Sequence, residues 1–334
     1  MFTLLLSALA MASSGGEGSG LAPEDSVALS PPEATAQAPS QRELLDEGVA
    51  LRRIGAFGDA EDMLSRASAL TGEVDEEVAY QSGVLLEVQE RWADAASKYL
   101  EVAERWPQSA SAKDARFRRA YCLEELGDHK GATQAVKRLQ REGQWSLADE
   151  RTMALQRGIT EVRGGKTRRG VRRILRALDS GQDDRTWIRA KARLALVRAQ
   201  LERAAKIKLR GDKRAAKRLK KRAALLSAAE KQAIVMFNLG EPEFALEGLL
   251  LLGDGYMELY ETMVTYVPPR SVDDPETYRE VVMSKAAILK TKAHARYDEG
   301  VRVAARTQWV GSVTGRLQAK RDRLAPQLDP APAP

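Results

Sequence analysis

A fourfold internal echo limits what this chain can fold into more than any other feature of its sequence. Gly48 and Ala60, Gly83 and Ala95, Ala120 and Ala132, and Gly158 and Gly170 are four pairs of small residues, each pair twelve positions apart. The pairs recur at intervals of 35, 37 and 38 residues. Larger apolar residues accompany them at helical spacing: Leu51, Leu64 and Ala67 in the first copy, Leu86 and Tyr99 in the second, Leu123, Val136 and Leu139 in the third, Ile174 and Ala177 in the fourth. A small residue on each of two helices lets their backbones cross closely. A repeat of this length is one supersecondary unit whose apolar face is buried only by its neighbours in a stack.

The chain is 43% hydrophobic but only 5% aromatic, and long Val/Ile/Thr runs with period-two alternation are missing. That mixture suits helices and gives sheets little to pack with, so the expected class is all-α. Two segments carry a family resemblance. Trp92-Ala93-Asp94-Ala95-Ala96-Ser97-Lys98-Tyr99-Leu100, running on to Trp106-Pro107, resembles the second helix of a tetratricopeptide repeat and its terminal proline. Ala120-Tyr121-Cys122-Leu123-Glu124-Glu125-Leu126-Gly127-Asp128 is similar to the first helix and its turn. The family's period is about 34 residues. The resemblance covers 41–180 and implies a helical-hairpin solenoid coiled into a right-handed superhelix.

Beyond Ser180 the pattern stretches. The segments 184–210 and 213–239 read as two long helices broken at Gly211-Asp212, and Leu252-Gly253-Asp254-Gly255-Tyr256 lies on a helix over about 242–264. After Pro268-Pro269 a long helix starts at Asp274-Pro275-Glu276, with proline at a first-turn position and acids at the positive end of the dipole. Residues 249–300 resemble repeat proteins of the bacterial envelope, including those linked to gliding motility in myxobacteria. The expected organisation is a signal peptide over 1–12, a linker over 13–40, four repeats over 41–180, divergent helices with a cap over 181–325, and a disordered tail over 326–334. The signal reading rests on the apolar run Phe2 to Ala12 with small residues spaced for cleavage, the linker on Gly, Ser, Pro and Ala.

Catalytic and metal chemistry has little material here. The only histidines are His129 and His294, and the only cysteine is Cys122, set among apolar residues as a small buried hydrophobe would be. Gly164-Gly165-Lys166-Thr167 echoes the end of a phosphate-binding loop, but Thr160 stands where that motif needs glycine. Adjacent carboxylates such as Glu124-Glu125 diverge by about 100° on a helix and do not converge on one substrate. The expectation is therefore a non-enzyme without cofactor or metal.

Charge is unevenly spread over a net of +6. Residues 41–110 carry 15 acids and 7 bases, whereas 185–222 carry 16 bases and 2 acids. Arg168, Arg169, Arg172, Arg173, Lys213, Arg214, Lys217, Arg218, Lys220 and Lys221 form the candidate basic patch. It reads either as a solvated helix surface or as a site for an anionic surface or partner. Trp187 is the one aromatic residue in 185–222, which disfavours nucleic acid bound by stacking.

The family resemblance implies that first helices line a concave face, with Arg52, Tyr80, Val84, Glu87, Phe117, Tyr121 and Glu124 among the partner-facing residues. Tyr80, Phe117 and Tyr121 are the expected anchors, since large aromatic residues dominate interface energetics; the alternative is that they pack between helices. Together these readings predict an exported scaffold of the cell envelope or periplasm that holds partner proteins. The second reading is a cytosolic regulatory or nucleic-acid-associated module working through 163–222.

Overall fold

Ser40 caps the first helix reciprocally: its hydroxyl accepts from the Glu43 N–H, and the Glu43 carboxylate accepts from the Ser40 N–H. The computed structural model describes residues 38–70, 72, 75–142, 145–180, 185–209, 214–267 and 274–328. Among these residues it forms thirteen α-helices, one 3₁₀ turn (Ala325–Gln327) and no strand.

The first eight helices pair as α1 (Gln41–Ile54) with α2 (Phe57–Leu70), α3 (Glu76–Val88) with α4 (Trp92–Arg105), α5 (Ala110–Glu125) with α6 (His129–Glu142), and α7 (Leu147–Arg163) with α8 (Thr167–Asp179). The same local chemistry builds every hairpin. The first helix starts on a side-chain cap, from Ser40, Asp75, Ser109 or Ser146. It ends on a left-handed residue seven positions after its small residue: Gly55, Glu90, Gly127 or Gly165.

Between those ends the small residues let the helices touch. Leu64 lies over Gly48, Tyr99 over Gly83 and Ile174 over Gly158, so the covering side chain comes sixteen positions later each time. The fourth crossing is the tightest: a β-carbon on Gly170 would lie 2.5 Å from the Gly158 carbonyl oxygen.

The stack continues past residue 180. The remaining helices are α9 (Thr186–Ala205), α10 (Ala215–Phe237), α11 (Pro242–Val264), α12 (Pro275–Thr307) and α13 (Ser312–Leu324). Helix α9 packs on α7 and pairs with α10, and α11 packs on α9 and pairs with α12. Finally α13 covers α12 and touches α11, as a cap. The expected breaks at Gly211-Asp212 and Pro268-Pro269 lie outside the described residues, as do the signal-peptide and most of the linker positions. Pro326 and Gln327, read from sequence as part of the tail, belong to the 3₁₀ turn.

The core is one long apolar cluster running from α3 to α11, flanked by a smaller cluster at each end. The array also curls until its last turn meets its first. Val310, between α12 and α13, presses on Gly55 so closely that a β-carbon there would approach to 2.8 Å. The Ser312 hydroxyl reaches the Glu90 carboxylate at 3.4 Å.

Candidate functional site

Curling places the ends of the first helices around a shared cavity of about 910 Å³. Its apolar wall includes Trp92, Tyr121, Phe244 and Trp309, and its polar wall includes Glu124, Glu125, Arg163, Lys191, Glu202 and Glu243. Because α5, α7, α9 and α11 stack side by side, residues distant in sequence converge here.

Glu125 anchors the polar wall, pairing with Arg163 at 2.7 Å and Lys191 at 3.1 Å. Burial alone would raise the Glu125 carboxyl, but those two cations hold it below its ordinary value. Lys191 is itself buried over the Tyr121 ring, 3.0 Å from its centroid, and burial brings its ammonium down to about 8. The buried Glu124 carboxylate meets His129 Nδ1 at 2.9 Å. Glu243 makes no ion pair or hydrogen bond among the described residues. Burial first, and then Glu87 and Glu125, push its carboxyl up to about 8.

A second charged system threads the first hairpins together. Tyr99 donates to Glu87 at 2.6 Å, and Arg118 bridges Glu87 at 2.9 Å and Asp114 at 2.8 Å. Tyr80 donates to Asp114 at 2.5 Å, and Arg185 joins Asp114 at 3.0 Å to Asp149 at 3.1 Å. Lys113 completes the chain on Asp149 at 2.5 Å. Glu87, Asp114 and Asp149 therefore each have a cation within contact, the condition under which buried charge is tolerated.

The residues expected to face a partner divide accordingly. Val84, Glu87, Phe117, Tyr121 and Glu124 are all buried, which corrects the expectation of an open concave face. Phe117 packs edge-on to Trp145 beneath the Arg185 guanidinium, and Tyr121 is enclosed by Trp92, Trp187 and Phe244. The cause is the tight curl, which brings α9 and α11 over the face of α5. Only Arg52 and Tyr80 keep partial exposure, while Tyr121 and Glu124 still border the cavity.

The basic patch also divides. On α8, Arg168, Arg169 and Arg172 are exposed and Arg173 is half-buried. Beside or on α10, Arg214, Lys217, Lys220 and Lys221 are exposed and Arg218 is half-buried, while Lys213 lies outside the described residues. The neighbouring Arg222 is instead fully buried and bonded to Glu258. What sequence reasoning missed are the convergent groups from the far half, Lys191, Glu202 and Glu243. Each sits among several other charged residues on its helix, so no signal in the sequence singles it out.

The fold is a tetratricopeptide-like hairpin array. No protein family matches the sequence, and no curated protein matches it. Among solved structures the chain is similar to a tetratricopeptide repeat protein from Parabacteroides merdae, with 12% identity, a TM-score of 0.40, and coverage of 85% of this chain and 98% of that one. It is also similar to yeast Tom70, with 13% identity, a TM-score of 0.25, and coverage of 87% and 81%. The described residues hold no cluster of His, Cys, Asp and Glu able to bind a metal ion, and no helix among them is long and apolar enough to cross a membrane.

Proposed function

We propose that this chain is a non-catalytic scaffold of a bacterial cell envelope, and that it holds a partner protein by a segment seated in the central cavity. The carrying observation is the cavity of about 910 Å³ at the seam where the array closes, with aromatic walls and the unpaired Glu243 carboxyl group. A space of that size accommodates several side chains, and mixed apolar and polar walls suit a peptide. The envelope location is supported by the apolar run Phe2 to Ala12 with its small-residue spacing.

The test is a photo-cross-linking residue placed at Glu202, on the cavity wall, or at Ser227, exposed on α10, in the cells that make the protein. The cavity position is expected to give a discrete cross-linked species in the envelope fraction, and the α10 position none. Equal yields from the two positions would overturn the cavity reading. Recovery of chain with Met1 intact from the cytosol would overturn the location.

A further inference from the structure

We infer that a second groove, between α7 and α8, is a docking site for an acidic peptide segment of a partner protein. It shares no lining residue with the central cavity and does not depend on it. The groove has a volume of about 580 Å³. Its charged wall is Arg169, Arg172, Arg173 and Arg176, and its apolar wall includes Leu147 and Ala154.

Helical periodicity explains both walls. Positions 169, 172, 173 and 176 follow the i, i+3, i+4, i+7 rule and share one face of α8. Gly170, Ile174 and Ala177 of the same helix are buried against the array. Leu147 and Ala154 are likewise seven apart on α7, and Leu147 is 73% exposed at the lip. Leu147 therefore offers an occupant an open aliphatic contact beside the row of arginines.

Charge counting decides which occupant fits. Arg169 and Arg173 share a single acid, Glu161, at 3.1 Å each. Arg172 and Arg176 are exposed and have no ion-pair partner among the described residues. Glu150 is the only acid on the lining, so the groove carries a surplus of planar cationic forks. Guanidinium forks match carboxylates in bidentate geometry, whereas nucleic acid bound by stacking needs aromatic faces that this lining lacks. Acidic residues interleaved with aliphatic ones would meet the arginine wall and the Leu147–Ala154 wall together.

The experiment uses the full chain and a fluorescein-labelled synthetic peptide of alternating Glu and Leu, followed by fluorescence anisotropy. Binding is expected to saturate and to weaken as salt is added. The double variant Arg172→Glu/Arg176→Glu is expected to weaken it by about tenfold or more, as loss of two charge-assisted contacts implies. On α10, Lys217→Glu/Lys220→Glu should stay within about twofold of the unaltered chain. All four side chains are exposed, and an unchanged helical melting curve checks that each variant folds.

Equal weakening by the α10 variant would overturn the groove assignment and leave only general electrostatic attraction. Competition at lower concentration by a single-stranded oligonucleotide or by phosphatidylserine vesicles would overturn the peptide as the occupant. Absence of any saturable binding would overturn the proposal altogether. None of these results bears on cross-linking from Glu202, so the two sites stand or fall separately.

Discussion

The two halves of the array are built by different means. In residues 41–180 the helices are short, 13–17 residues, and in each hairpin the first helix carries a side-chain cap and a left-handed end residue. In residues 185–267 the helices α9, α10 and α11 run to 20, 23 and 23 residues, and none has a side-chain cap. Crossings in both halves set glycine under a large side chain, Gly83 under the Tyr99 ring and Gly253 under the Tyr297 ring, and Gly170 is the one that meets helix backbone first. What sets the first half apart is therefore the turn chemistry that starts and ends each hairpin.

The strongest way to break this comparison is to remove a buried charge from each half. Arg118→Met leaves Glu87 buried with Tyr99 as its remaining hydrogen-bond donor, and should cost about 3–5 kcal/mol. Arg222→Met removes from the far half a guanidinium that is more deeply buried, 1% exposed against 15% for Arg118, but its partner Glu258 is 44% exposed and water can solvate it. A smaller loss is expected there. Urea denaturation followed by helical signal measures both, and equal losses would show that the two halves handle buried charge alike.

Next in size is a single methyl group at a crossing. Gly170→Ala drives a β-carbon against the backbone of Gly158 and Val162, and backbone gives way only by moving a whole helix. A loss of about 3 kcal/mol is expected, at the upper end for overpacking. Gly253→Ala meets the Tyr297 ring instead, which can rotate away at the loss of its hydrogen bond to Asp254. Its cost should be lower, and the same denaturation series ranks them.

The third test lies on the seam between the halves. Glu243, raised to about 8, is protonated in the folded chain while its unfolded counterpart, near 4.5, is already ionised. Between those values the folded state holds more protons, so stability falls as pH rises from 4.5 to about 8. Glu241 is also raised by burial and adds to the same slope. Lys191, lowered to about 8 from 10.5, acts oppositely: above 8 the unfolded state binds more protons, and stability recovers. Urea midpoints should therefore pass through a minimum near pH 8. Glu243→Gln should flatten the falling limb and leave the recovery, and an unchanged falling limb would remove Glu243 from the account.

What was legible in the sequence follows the same divide. The twelve-residue offset located all four crossings, because close helix approach requires small residues at fixed positions. The four hairpin pairs follow from that offset and the turn residues alone. In the far half the helices could be read from 242–264 and from Asp274-Pro275, where proline and the cap mark a start. The closure of the array could not. It rests on Val310 meeting Gly55 and Ser312 meeting Glu90, contacts whose partners lie over two hundred positions apart and leave no periodic trace. The burial of Phe117 and Tyr121 was hidden for a related reason: an open superhelix leaves them on a free face, and the tighter curl covers them.

Glu90 is the one exception to the glycine or turn chemistry of the first half, and it offers the smallest but sharpest test. It holds the left-handed position at φ 60° that Gly55, Gly127 and Gly165 fill in the other three hairpins. A left-handed conformation costs a side-chain-bearing residue about 1–2 kcal/mol, while glycine loses about 0.5–1 kcal/mol more chain entropy on folding. The difference favours glycine, so Glu90→Gly should stabilise the chain by about 0.5 kcal/mol. The opposing term is the 3.4 Å contact from the Ser312 hydroxyl, which is exposed and long. An upward shift of the urea midpoint would confirm that turn chemistry governs this half. A downward shift would mean that Glu90 is kept in strain by the closing contact, and that the second half reaches into the geometry of the first.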